Sequence, residues 1–158
     1  MAVFELYVMK TLVYTFRTNP FLPAIHDSFG DIFIFGNMKK DFECLKSELR
    51  ERTPDLIVGI ARSWNKFSYI ECKALNRFNK SKTVEKGQPS ELKLFMPSKI
   101  EEYFNVNRRG SDSFCNWAMY RVSNFVATEE FDTKHVFFHC HETDIPTILE
   151  IFCRIDLN

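Results

Sequence analysis

Pro54-Asp-Leu-Ile-Val-Gly-Ile60 is a nearly continuous apolar run opened by a proline. A half-exposed strand alternates polar and apolar residues, so a run without alternation reads as a strand buried on both faces, in the middle of a sheet. Just before it, residues 39–50 repeat Phe42, Leu45 and Leu49 at helical spacing among charges, which predicts an amphipathic helix ended by Pro54. Further upstream, residues 10–16 and 31–35 are β-rich runs, the first closed by Thr18, Asn19 and Pro20 and the second bracketed by Gly30 and Gly36. Downstream, residues 67–75 read as a strand, and residues 76–90, polar with Gly87 and Pro89, as a surface loop. Then come a short helix over 97–104, a longer one over 113–126, a strand over 135–139 and a closing amphipathic helix over 144–155. Strands alternate with helices. The pattern predicts a single α/β domain over residues 1–158: a three-layer α/β/α sandwich with a mostly parallel, mixed central sheet, and sites at the carboxyl ends of its strands. The leading residues 1–9, rich in Phe, Leu, Tyr and Val, read either as an added edge strand or as cover for an interface.

The chain of 158 residues is long enough to bury roughly two-thirds of its unfolded surface. Its 21 basic and 21 acidic residues cancel, leaving no overall field to hold a polyanion, so neither nucleic acid nor a membrane surface is an expected partner. The longest apolar stretches are strand-length, far short of the roughly twenty residues that span a bilayer. Residues 1–10 lack the basic start and small-residue cleavage site of a secretory signal, and a cytoplasmic location is expected. The five cysteines are odd in number and widely spaced, without a Cys-x-x-Cys pair, and read as free thiols. Seventeen phenylalanines supply core bulk and say nothing of chemistry.

Ser113-Phe-Cys-Asn-Trp-Ala-Met-Tyr120 places Cys115 in the first turn of a predicted helix, after a glycine-containing loop. Unpaired backbone N–H groups and the helix dipole stabilise an anion there, which favours a thiolate nucleophile and offers donors to an oxyanion. The plain alternative packs Cys115 into the core beside Met119. A thiol nucleophile needs a base. His135, His139 and His141 alternate along one predicted strand, and His139 stands at its carboxyl end, where the site of such a sheet lies. It reads equally as a buried, hydrogen-bonded histidine. Glu71 interrupts the apolar residues of 67–75, where an unpaired buried carboxylate is costly, and so is the candidate to orient the imidazole; otherwise it faces solvent.

These residues resemble the motifs of one family. Glu71-Cys-Lys-Ala-Leu-Asn76 is similar to the Glu-Arg-Val-Ala-x-Asn element of pyroglutamyl peptidase type I (pyrrolidone-carboxylate peptidase), Cys115-Asn-x-x-x-Tyr120 to its nucleophile motif, and Phe137-Phe-His139 to its Phe-x-His element. Phe16 with Asn19-Pro20, the run from Pro54 to Gly59, and Leu94-Phe-Met-Pro97 match in the same order, and the chain resembles a short, divergent member. The resemblance implies the sandwich fold and a cysteine ω-peptidase that removes N-terminal pyroglutamate (5-oxoproline) from peptides. Cys115 would be the nucleophile, His139 the base and then the acid, and Glu71 the orienting carboxylate. Phe16 matches the ring that packs on the lactam, and Asn19 belongs to the same loop. The implied partner is a peptide with a blocked N-terminus, no cofactor is implied, and relatives associate into homo-oligomers.

The sequence departs from the family at several walls. Thr15-Phe-Arg-Thr-Asn-Pro20 replaces a longer glycine-rich loop, leaving Phe21 as the nearest ring to stand for a second Phe. Ala61-Arg-Ser-Trp-Asn65 replaces a turn with two glycines, and the Arg that assists the oxyanion in relatives has only Lys80 and Lys82 nearby. A hydrolase of altered substrate, or a degenerate relative acting as a non-catalytic binding or regulatory protein, is therefore the alternative. A third reading gathers His135, His139, His141 and Cys140 around zinc, although on a strand Cys140 faces away from the histidines.

Overall fold

The computed structural model describes residues 9–154, so the reading of the leading segment falls on residues 1–8 outside it, as does Ile155. The apolar run after Pro54 forms β3 (Leu56–Arg62), whose first six residues are all buried. It lies between β1 (Thr11–Phe16) and β8 (Lys134–Cys140), both parallel to it. β2 (Phe33–Phe35) continues the parallel ladder beyond β1. On the other side β4 (Tyr69–Glu71) pairs antiparallel with β8, and β7 (Asn105–Asn107) runs parallel to β4. The six-stranded order is β2-β1-β3-β8-β4-β7, and β5 (Lys73–Leu75) and β6 (Glu91–Lys93) form a separate antiparallel pair.

Strand alternation sends side chains to two cores. Leu12, Tyr14, Phe16, Ile57, Ala61 and Phe137 pack with residues of α2 (Met38–Arg52) and α3 (Phe114–Thr128). Their neighbours Val13, Val58, Ile60, Val136 and Phe138 pack with residues of α1 (Leu22–Phe29) and α4 (Ile145–Arg154). The result is the predicted α/β/α sandwich with a mostly parallel, mixed sheet. Gly59 sits where a Cβ would stand 2.3 Å from Phe137 and 2.6 Å from Tyr14, so glycine is what lets those two rings close over β3. Among the described residues no helix is long and apolar enough to cross a membrane.

Some elements differ from expectation. The strand predicted over 67–75 splits at Cys72, whose N–H donates to the Asn107 carbonyl at 3.3 Å and whose carbonyl accepts from Leu94 N–H at 3.0 Å, handing the chain from one sheet to the other. The 76–90 segment is a surface loop with its own closure: Asn76 Nδ2 donates to the Glu85 carbonyl at 2.7 Å and Asn76 Oδ1 accepts from Glu85 N–H at 2.8 Å. The helix predicted over 97–104 is one 3₁₀ turn, Ile100–Glu102. The α1 helix, β6 and β7 have no counterpart in the sequence reading.

Candidate active site

The turn before α3 needs Gly110, at φ 77° with the Leu75 side chain against it. Ser113 then takes the extended N-cap conformation, and Asn116 N–H donates to its carbonyl at 3.0 Å, starting the helix. Cys115 is therefore the second residue of α3, half-buried at the edge of the core that faces the sheet. Burial pushes its thiol up to about 11; its own backbone N–H opposes this, and the Glu71 carboxylate adds to it. Here the expectation of a thiolate is corrected, because desolvation outweighs the helix start. At neutral pH the thiol keeps its proton and needs a base.

His139, buried in β8, lies opposite Ala61 of β3 and Tyr69 of β4. Antiparallel pairing of Tyr69 with His139 sends Glu71, two residues on, to the same face on the diagonal. The rings of Tyr69 and His139 stack with centroids 4.7 Å apart and planes at 18°. His139 Nδ1 lies 3.3 Å from Oε1 of the fully buried Glu71, close enough for an ion pair but not aligned as a hydrogen bond. Glu71 Oε2 accepts from Asn107 Nδ2 at 2.9 Å. Burial first, then the charges of Glu71 and Cys115, push the Tyr69 hydroxyl up to about 12, so the thiol, carboxylate and phenol share one electrostatic environment. The end of β8 is held by Ser63 N–H on the Cys140 carbonyl at 2.9 Å and by Ser68, which accepts from His141 N–H at 2.9 Å and donates to Asp144 at 2.5 Å.

The other histidines do not join this group. At the start of β8, His135 has Tyr14 hydroxyl 3.0 Å from Nε2 and Ser123 hydroxyl 2.8 Å from Nδ1, and burial lowers its pKa to about 3. Cys140 packs in the opposite core, where burial pushes its thiol up to about 12, and His141 lies past the strand. Among the described residues no three His, Cys, Asp or Glu are placed to hold a metal ion, so the zinc reading finds no site.

Phe16 ends β1 but is only 5% exposed, its ring stacked on Phe35 at 5.9 Å and tilted against Phe137 at 6.4 Å. Asn19 shapes the following turn: its Nδ2 donates to Thr15 Oγ1 at 3.1 Å and its Oδ1 accepts from Phe21 N–H at 3.0 Å. Phe21 packs against the opposite core and does not stand beside Phe16. The Ala61–Asn65 turn closes without positive φ, through Ser63 Oγ donating to the Phe67 carbonyl at 2.8 Å, and it presents Trp64, 81% exposed, under the Arg62 guanidinium at 4.0 Å. A cleft of about 500 Å³ opens beside the start of α3, lined by Phe78, Asn79, Lys80, Asp112, Ser113 and Phe114.

Solved structures match this fold along most of the chain. A mutant pyrrolidone carboxyl peptidase from the hyperthermophile Pyrococcus furiosus superposes with a TM-score of 0.71 at 18% identity, covering 92% of this chain and 95% of that one. The fold is that of the pyrrolidone carboxyl peptidases. The pyrrolidone carboxyl peptidase from Thermococcus litoralis agrees, with a TM-score of 0.72, 16% identity and 92% of each chain covered. A second Pyrococcus furiosus mutant gives 0.68 at 20% identity over 83% of this chain and 80% of that one. No protein-family model and no curated protein matches the sequence significantly. The sequence reading names Cys115, His139 and Glu71 as candidates; the structure sets Tyr69 against His139 and Asn107 against Glu71, two neighbours that reading does not name. The signal for Tyr69 was present, since a residue two before Glu71 on a strand shares its face. Asn107 had none.

Proposed function

We propose that the chain is a cysteine ω-peptidase-like hydrolase that removes N-terminal 5-oxoproline from peptides. The observation that carries this reading is the buried Glu71 carboxylate 3.3 Å from His139, within electrostatic reach of the Cys115 thiol, in a pyrrolidone carboxyl peptidase fold. His139 takes the proton from Cys115 Sγ as the sulfur attacks the carbonyl carbon joining the 5-oxoprolyl group to the next residue. Glu71 and the Tyr69 ring hold the imidazole plane, and the carboxylate stabilises the imidazolium that forms. The tetrahedral oxyanion is received by free N–H groups in the first turn of α3. His139 then gives its proton to the departing amine, leaving a 5-oxoprolyl thioester on Cys115. Finally His139 takes a proton from water, the hydroxide attacks the thioester carbonyl, and the sulfur leaves with that proton.

The cleft beside Ser113 and Phe114 receives the substrate, with the Phe78 and Phe114 rings for its apolar face and Lys80 at the rim. Phe16 and Asn19 serve it by shaping the β1 end of the site. One observation favours a second reading, hydrolysis of a different N-terminal group: the Phe16 ring is committed to Phe35 and Phe137 and is not free to cover a lactam. The test is release of a fluorescent amine from its 5-oxoprolyl conjugate, and from prolyl and alanyl conjugates, by the protein and by Cys115→Ala under reducing conditions. Turnover of the 5-oxoprolyl conjugate alone, abolished in the variant, supports the proposal. Cys115-dependent turnover of another conjugate in its place supports the second reading, and equal rates with and without Cys115 reject both.

A further inference from the structure

The α3 helix carries an unusual polar stripe on its buried side. Asn116, Tyr120 and Asn124 recur at four-residue intervals and are all buried, so they lie one above another along one face. Each engages the segment that follows Glu71. Asn116, with no exposed surface, uses its whole amide: Oδ1 accepts from Leu75 N–H at 3.1 Å, and Nδ2 donates to the carbonyls of Leu75 at 2.6 Å and Arg77 at 2.5 Å. The Tyr120 hydroxyl donates to the Pro89 carbonyl at 2.5 Å, and Asn124 Nδ2 donates to Glu85 Oε2 at 2.9 Å.

Among these, Asn116 has a special place. It follows Cys115 directly, and the strand it grips begins two residues after Glu71, whose carboxylate meets His139. The α3 helix touches β8 itself only lightly and has its fuller contact with β5. Three hydrogen bonds from one buried amide hence tie the turn that holds the thiol to β5, the strand that follows the one holding the carboxylate. A terminal helical turn otherwise frays, because its first N–H groups have no partner within the helix, and Ser113 supplies no side-chain cap.

We infer that Asn116 is a positioning residue, which fixes the Cys115 thiol against the His139–Glu71 pair by tying the first turn of α3 to Leu75 and Arg77. This rests on the reading of Cys115 and His139 as nucleophile and base, but it assigns the second residue of the Cys-Asn pair a role distinct from contact with the substrate. Its signature is a loss of coupling between thiol and imidazole, whatever the substrate.

The experiment is a double-mutant cycle read by alkylation of Cys115 with iodoacetamide near neutral pH, with the modified site located by peptide mass spectrometry. His139→Ala in the otherwise native chain is expected to slow alkylation about tenfold, the scale of a lost general base. In an Asn116→Ala background, the same His139→Ala change is expected to alter the rate less than about twofold. Should Asn116→Ala fail to give the native circular dichroism, Asn116→Ser, which keeps one donor and one acceptor at the position, takes its place in the cycle. Tyr120→Phe, which cuts only the bond to Pro89, is the control expected to keep the full His139 effect. An undiminished His139 effect beside Asn116→Ala or Asn116→Ser overturns the inference. Absence of a His139 effect in the native chain overturns instead the thiol–imidazole reading beneath it, so the two failures are distinguishable.

Discussion

Replacing Gly59 with alanine tests the close approach on which the site face of the sheet is built. The new methyl would meet Phe137 Cδ2 at 2.3 Å and the Tyr14 ring and hydroxyl at 2.6 and 2.7 Å, all well inside contact distance. Neither ring has room to withdraw. Tyr14 is fully buried between Phe16, Phe35 and Phe137, and its hydroxyl is held at 3.0 Å by His135, whose other nitrogen meets Ser123. Overpacking of a tight core costs about 1–3 kcal/mol, and displacing the Tyr14 hydroxyl from His135 adds about 1 kcal/mol for a buried hydrogen bond. The expected loss is thus about 2–4 kcal/mol, a fall in Tm of roughly 5–15 °C for a chain of this size. Urea unfolding followed by circular dichroism at equal slope measures the first quantity, and thermal melting the second. Phe137 also packs on His139, with centroids 5.2 Å apart, so a shifted Phe137 ring carries the strain to the imidazole, and activity should fall with stability. A stability change below about 1 kcal/mol would refute the packing of Tyr14 and Phe137 over Gly59.

Burial holds His135 near a pKa of about 3, against 6.5 for the free side chain. A histidine whose folded pKa is depressed contributes stability that is present above about pH 6.5 and is lost as pH falls toward 3, at about 1.4 kcal/mol per pH unit. The protein should therefore lose about 2 kcal/mol more between about pH 7 and pH 5 than His135→Gln does, measured by urea unfolding; equal losses would contradict the buried neutral imidazole. With its thiol raised to about 11, Cys115 in the free protein should alkylate faster with each rise in pH through the alkaline range, with no plateau near neutrality. A plateau there would mean that the thiolate already exists at rest. Removing the donor to Glu71 with Asn107→Ala leaves a buried carboxylate oxygen unpaired, which should cost about 1–3 kcal/mol and lower kcat more than it changes KM; an unchanged kcat would place Asn107 outside the site.

The architecture was legible where burial is two-sided or strictly periodic. The unbroken run after Pro54 located the central strand, and the spacing of Phe42, Leu45 and Leu49 located α2 to within two residues at each end. Short elements were not legible. The strands β6 and β7 are three residues each, too short for a period to show. In α1 only Ile25 is buried, so no apolar stripe marks it, and Pro23 in its first turn is a helix start that reads as a breaker beside Pro20. The break at Cys72 escaped notice because apolar content continues across it while the hydrogen-bonding partner changes.

At the candidate site, residue type and order singled out Glu71 and His139, because few positions in an apolar strand tolerate a carboxylate or an imidazole without a partner, and the structure sets those two side chains 3.3 Å apart. What could not be read was environment. Whether a cysteine at a helix start is activated depends on the balance between backbone N–H groups and desolvation, and here half-burial beside Glu71 tips it toward the protonated thiol. Likewise Phe16 resembles a ring-binding position by sequence, but only the packing of its ring against Phe35 of β2 and Phe137 of β8 reveals that its face is already occupied.

The central claim is that Cys115 carries the acyl group. Its most direct test is intact-protein and peptide mass spectrometry after the protein is mixed with an activated 5-oxoprolyl ester and quenched in acid within the first turnovers. A 5-oxoprolyl thioester on Cys115 that accumulates when His139 is replaced by a residue slow in deacylation, and is absent from Cys115→Ala, is the predicted result. An adduct on another residue, or ester cleavage with Cys115 unmodified throughout, would contradict the account.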